Sequence, residues 1–278
     1  MLIKTKIDRD MKLYLKIILF IFIPLLSSCT KFICDNFPSD NRRTNCNSCR
    51  ILFIGSSYLQ YGNGDVIEIF SKFAEEADRD LIIETSIAGG LRLYNHIEYQ
   101  PTIDKINSQG WDYIVLQGNS AFISKEKWHD YVVPYLSKFR EIIKYNYDKT
   151  SIIYMMPWAY TDGLTFIEGE TDTYKEMQVN IYNNSTAVAW DLDIALAPAG
   201  WVWYQAIIDG YKAPLYLNDQ NHQTISGAFL TASVFYSTIF LEEAPHIDYE
   251  LTINDDQKLL REKAYKTVVE SLDLWNIY

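Results

Sequence analysis

Five short apolar runs punctuate this chain of 278 residues, and longer stretches patterned for helices lie between them. The runs are 51–55, 81–87, 111–117, 151–156 and 192–200, the last carrying a short strand into a turn. Each is strand-sized, rich in aliphatic and aromatic residues, and bounded by Gly, Pro or Asn. Between them, 65–77 places Val66, Ile69, Phe70 and Phe73 at helical spacing, and 127–145, 173–188, 224–240 and 255–272 also read as helices. Pro134 predicts a break or a late start in the second of these, because proline lacks the N–H of the helical ladder. Strands that alternate with helices form a parallel sheet covered on both faces, so the expected class is α/β in one domain. In such sheets, sites form beyond the carboxyl ends of strands. No internal repeat or low-complexity tract interrupts the pattern.

The segment before the first run has a different character. From Met11, a basic start leads into the apolar LYLKIILFIFIPLL and ends in Leu26-Ser27-Ser28-Cys29. These are the parts of a secretory signal. The closing Leu-Ser-Ser-Cys resembles a bacterial lipobox, which implies a signal peptide over 1–28 and a lipid on Cys29. A single membrane anchor is the alternative, but the run is short for a span of about 20 residues. The expected setting is a bacterial cell envelope, with the protein exported and lipid-anchored in the periplasm or at the cell surface.

Cys34, Cys46 and Cys49 precede the first run, and 29–49 reads as a tether ahead of a domain over 50–278. An exported chain with three further cysteines suits one disulfide and one remaining thiol, with the pairing open. Cys46 and Cys49 have C-x-x-C spacing, but no second Cys or His pair of ligand spacing follows, so no metal site is expected.

The domain is long enough for a full core, at about 230 residues. The net charge of −11 becomes more negative once the basic leader is removed. That argues against nucleic acid as a partner, since phosphate binding needs a basic face.

The chemistry concentrates at strand ends. Ser57 follows the first run, Gly89 and Gly90 follow the second, and Asn119 follows the third. Asp219 and His222 lie three positions apart, just before the 224–240 helix. A serine becomes a nucleophile when a base takes its proton, and the base works best when an acid holds its tautomer. His96 and His129 fall within helical stretches and His246 in a polar connection, so only His222 has an acid so placed. Each residue also has a structural reading: Ser57 and Asn119 suit helix caps or turns, and Gly89-Gly90 suits a bare turn.

Read in order, ILFIGSSY, AGGL, LQGNS and DQNH resemble the four sequence blocks of the SGNH/GDSL hydrolases over roughly residues 50–240. APAG at 197–200 matches a stretch that precedes the last block in a secreted bacterial branch. The resemblance implies a three-layer α/β/α sandwich around a parallel, flavodoxin-like five-stranded sheet. It implies Ser57 as nucleophile, His222 as base and Asp219 as the acid that orients it. The Ser57 N–H, the N–H of Gly90 or Gly89, and the Asn119 amide would form the oxyanion hole, with no cofactor. Three positions depart from the pattern: Ser56 where Asp or Asn is usual, Gln117 where Gly is usual, and Ser120 where Asp is usual.

The expected activity is hydrolysis of carboxylic esters, with O-acetyl groups on glycans as the substrate class. Trp158, Trp201 and Trp203 are candidates for the floor of a sugar site, against a reading as core. One alternative is a lipase or thioesterase acting on acyl chains. The other is an inactive glycan-binding surface lipoprotein, which the three departures favour.

Overall fold

The computed structural model describes residues 46–165, 169–251 and 256–278. The expected signal peptide over 1–28, Cys29 and Cys34 lie outside the described residues.

Strand β1 (Ser48–Gly55) lies inside the sheet, one strand from its edge, and its residues Ile51, Leu52, Phe53 and Ile54 are fully buried. β4 (Asp80–Ile87) pairs on one side and β5 (Tyr113–Gln117) on the other, followed outward by β6 (Ser151–Met155) and β7 (Ala195–Ala197). All four pairings are parallel, in the order β4-β1-β5-β6-β7. The chain starts mid-sheet, moves to one edge, then crosses back and builds outward, the flavodoxin-like order. A two-stranded hairpin, β2 (Gln60–Tyr61) with β3 (Gly64–Asp65), follows β1.

Helix α1 (Val66–Glu76) starts at Asp65, whose carboxylate accepts from the Ile67 and Glu68 N–H groups at 3.0 Å each. It buries Val66, Ile69, Phe70 and Phe73 against α8 (Ile225–Phe240), which also packs on α9 (Asp256–Val269). α8 is buried almost along its whole length, so it is apolar all round rather than striped. Short helices α2 (Leu93–His96), α3 (Gln100–Asn107) and α4 (Ser120–Ile123) fill the connections around β5. α6 (Tyr174–Asp191) begins with a Thr173/Glu176 capping box. Of the short helices only α2, which ends at His96, had been read as helical, and α7 (Ala199–Ile208) follows β7 where a turn was read.

Three further expectations change. The helix α5 (Trp128–Asn146) runs through Pro134 without a break. Pro134 is on the exposed face, where water can satisfy the carbonyl one turn earlier. β1 starts at Ser48, two residues before the expected domain boundary, so Cys49 is in the sheet rather than before it. Cys46 and Cys49 are disulfide-bonded to each other and buried, with Cα atoms 5.7 Å apart.

Candidate active site

The register aligns the strand ends that matter. Gly55 pairs with Ile87, and Ile54 with Leu116, so the carboxyl ends of β4, β1 and β5 lie side by side. Ser57, Gly89-Gly90 and Asn119 leave these three ends in that arrangement. Neighbouring strands are about 4.8 Å apart, which brings the segments together across the top of the sheet.

His222 and Asp219 reach the same end from a loop 165 residues further along. His222 Nε2 is 2.9 Å from Ser57 Oγ, and His222 Nδ1 is 2.7 Å from Asp219 Oδ2. The carboxylate can only accept, so Nδ1 carries the proton and Nε2 accepts from the serine hydroxyl. The other oxygen, Asp219 Oδ1, accepts from the N–H groups of Asn221 (3.0 Å) and His222 (2.9 Å). Burial pushes the Asp219 pKa up, but the hydrogen bonds from His222 and Asn221 outweigh it and hold the carboxyl below its ordinary value. Asp219 therefore serves as both turn-former and orienter, and the two readings of that residue coincide.

The candidate oxyanion donors are unengaged. The backbone N–H groups of Ser57, Gly89 and Gly90 make no hydrogen bond among the described residues. Gly90 has φ +75° in a turn closed by the Leu91 N–H to the Ala88 carbonyl at 3.1 Å, a backbone state that suits glycine. Asn119 caps α4, its Oδ1 accepting from the Phe122 N–H at 3.2 Å. The cap uses the oxygen and leaves the amide N–H groups as donors.

The departures at 56 and 117 are bonded to each other. Gln117 Oε1 accepts from the Ser56 N–H at 2.6 Å and the Ser56 hydroxyl at 3.2 Å, and its amide donates to the Gly118 carbonyl at 3.1 Å. A Cβ at Gly55 would fall 2.5 Å from Gln117 Oε1, so glycine is what lets this side chain cross under the turn. Ser120 is also engaged, donating to the Trp158 carbonyl at 2.7 Å.

Beneath the other half stands a column of rings. Tyr58 stacks on Trp158 (4.3 Å between centroids), and Trp158 on Trp203 (4.1 Å, planes 5° apart). The Trp158 indole N–H donates to the Asn221 carbonyl at 2.9 Å, and the Tyr58 hydroxyl donates to Asn221 Oδ1. Trp158 and Trp203 are fully buried, so neither offers a face to a sugar, and they support the acid–base loop instead. Trp201 is half-buried against Tyr182 and Tyr204.

Several contributing residues were not expected from sequence. Tyr61 lies flat on the His222 imidazole, with centroids 3.8 Å apart and planes at 6°. Gln223 donates to the Ser57 and Gly64 carbonyls at 2.9 Å each, tying the nucleophile turn to the hairpin. His96, read only as a helix residue, is fully buried below Gly55. Its Nε2 must donate to the Gly55 carbonyl (2.9 Å), so Nδ1 accepts from Thr102 (2.8 Å), and Ser86 in turn donates to Thr102 (2.8 Å). Burial lowers the His96 pKa and keeps the ring neutral. Tyr58, Asn221 and Gln223 all adjoin a predicted site residue, a usable signal; Tyr61 and His96 carry none.

Among solved structures, the chain is similar to a DUF4886 family protein from Bacteroides uniformis at 16% identity, with 81% of this chain and 96% of that one covered and a TM-score of 0.65. A protein from Slackia heliotrinireducens assigned to the SGNH hydrolases matches at 18% identity, 68% and 97% coverage, and a TM-score of 0.54. The fold is that of the SGNH hydrolases. Axe2, an acetylxylan esterase from Geobacillus stearothermophilus, shares it at 14% identity, 70% and 95% coverage, and a TM-score of 0.51. No family model matches the sequence, and no curated protein matches it.

Proposed function

We propose that this SGNH-fold protein is a serine esterase cleaving carboxylic esters, with O-acetyl groups on glycans as its substrates. The relay from Ser57 Oγ through His222 to Asp219 supports this most directly. His222 Nε2 takes the hydroxyl proton as Ser57 attacks the ester carbonyl, while Asp219 holds the imidazole and stabilises the imidazolium. The tetrahedral oxyanion is received by N–H groups of Ser57 and of Gly90 or Gly89, and by the Asn119 amide. Donors fixed before reaction are each worth about 3 kcal/mol in acyl transfer. His222 then protonates the departing alcohol. Water, deprotonated by the same imidazole, releases acetate and restores Ser57.

The glycan assignment draws on the fold shared with an acetylxylan esterase and on the lipobox-like leader, which is the reason for proposing an envelope setting. The mutual bonding of Ser56 and Gln117 weighs against loss of activity, because it keeps the nucleophile turn braced without the usual residues. Hydrolysis of 4-nitrophenyl acetate tests the reading. Wild type should turn it over, and Ser57→Ala and His222→Ala should each lower kcat by about 10³-fold or more. Turnover that survives Ser57→Ala would exclude Ser57 as nucleophile.

A further inference from the structure

Past Asn119, at the β5 and β6 ends, lies a small cavity whose lining includes Arg92, Tyr94, Asn119, Phe122, Tyr131 and Tyr154. Tyr154 is 1% exposed, and its hydroxyl makes no hydrogen bond among the described residues. Burial pushes this phenol's pKa up, so the O–H stays a donor. A buried phenol normally has a partner, and this one faces the cavity without one. Asn119 spends its oxygen on the helix cap, which leaves the amide N–H groups.

Arg92 supplies the charge. Its guanidinium carbon is 4.8 Å from the Phe122 ring centroid and 6.0 Å from that of Tyr94, and it donates to the Tyr94 hydroxyl at 3.1 Å. It forms no ion pair among the described residues, and no Asp or Glu lines the cavity. Arg92 is exposed, and its guanidinium lies over rings rather than beside a carboxylate. The set of a guanidinium, a phenol O–H and an amide N–H calls for an anionic acceptor, and a planar carboxylate matches the guanidinium fork. The cavity volume, about 20 Å³, is little more than the room for one water, so only the tip of a carboxylate would enter, and a sugar ring would rest outside on the exposed Tyr131.

The cavity adjoins the chemistry. Asn119 belongs to both, and the Arg92 charge reaches the Tyr160 phenol, which is hydrogen-bonded to Tyr58 beside Ser57. We infer that this cavity is a subsite for a carboxylate on the substrate, so that the preferred ester is borne by an acidic, uronate-containing glycan. The inference rests on the esterase reading above and names its substrate class.

The test compares kcat/KM on O-acetylated xylotetraose with and without a glucuronate branch, for wild type, Arg92→Gln and Tyr154→Phe. Wild type should favour the branched substrate about tenfold, through KM, as expected for one charge-assisted contact. Arg92→Gln should bring the ratio near one, and Tyr154→Phe, which keeps the ring, should lower it a few-fold. No preference in wild type, a preference that survives Arg92→Gln, or a stronger preference for a sulfated branch would each overturn the subsite. Turnover of 4-nitrophenyl acetate separates the failures: turnover without acid preference sinks the subsite alone, and no turnover sinks the esterase. Calorimetric titration with glucuronate reads the subsite without turnover. Binding about tenfold weaker in Arg92→Gln supports it, and equal or absent binding overturns it.

Discussion

Ser57 hangs from buried strand ends, whereas His222 and Asp219 stand on an open loop propped from below by aromatic rings. On the nucleophile side the supports are short, buried and polar: Gln117 grips Ser56, and His96 grips the Gly55 carbonyl. On the acid–base side the loop is wetter, with the Asp219 side chain 41% exposed, and it rests on Trp158 through one indole bond and a stacked column. One hydrogen-bonded relay is thus held by two physical means. Hydrogen bonds from a rigid sheet fix direction, and ring packing fixes height.

The largest expected effect lies under the loop. Trp158→Ala removes a fully buried indole from the middle of the column and should cost about 3–5 kcal/mol in chemical denaturation. Esterase activity should fall with it, because Asn221 loses the indole donor beneath it. A variant that stayed within 1 kcal/mol of wild type would mean the column is not what holds the loop.

Gln117→Ala comes next. It leaves the buried Ser56 N–H without a partner and should cost about 1–3 kcal/mol, with kcat falling more than KM rises as the nucleophile turn loosens. An unchanged kcat would show that the turn is held by the strand alone.

The smallest effect is a slope. His96 has a folded-state pKa below its ordinary value of about 6.5, because burial disfavours the imidazolium. The unfolded chain takes up the proton first, so this contribution to stability is present above about pH 6.5 and is lost as pH falls from there through the folded pKa. Denaturant midpoints measured from pH 7.5 to pH 5 should decline in wild type. His96→Gln, which does not titrate, should lack that part of the decline. Parallel declines would mean His96 is not the group responsible.

How legible each half was follows from the same contrast. Ser57, Gly89-Gly90 and Asn119 could be found because strand periodicity marks where a parallel sheet ends, and the register sets those ends side by side. Asp219 and His222 could be found because their relation is local, three residues within one turn. What the sequence hid are contacts between distant segments of ordinary composition. Gln117 and Ser56 looked like two separate departures, and nothing in one dimension says that their side chains meet. Pro134 was read as a break or a late start because one dimension does not show that its face is exposed. The tryptophans stood between sugar floor and core because aromatic residues suit both until burial is known.

By itself, then, the sequence determined the alternation of strand and helix, hence the parallel sheet, and the identity of the three residues in the hydrogen-bonded relay. These depend on periodicity and short spacing, which act locally along the chain. Only the tertiary structure decided that Ser57 and His222 meet at 2.9 Å, that Trp158 and Trp203 belong to the support rather than the surface, and that Arg92 and Tyr154 share one cavity. Those depend on how helices and strands far apart in sequence pack in three dimensions, where a side chain's chemistry is set by its neighbours.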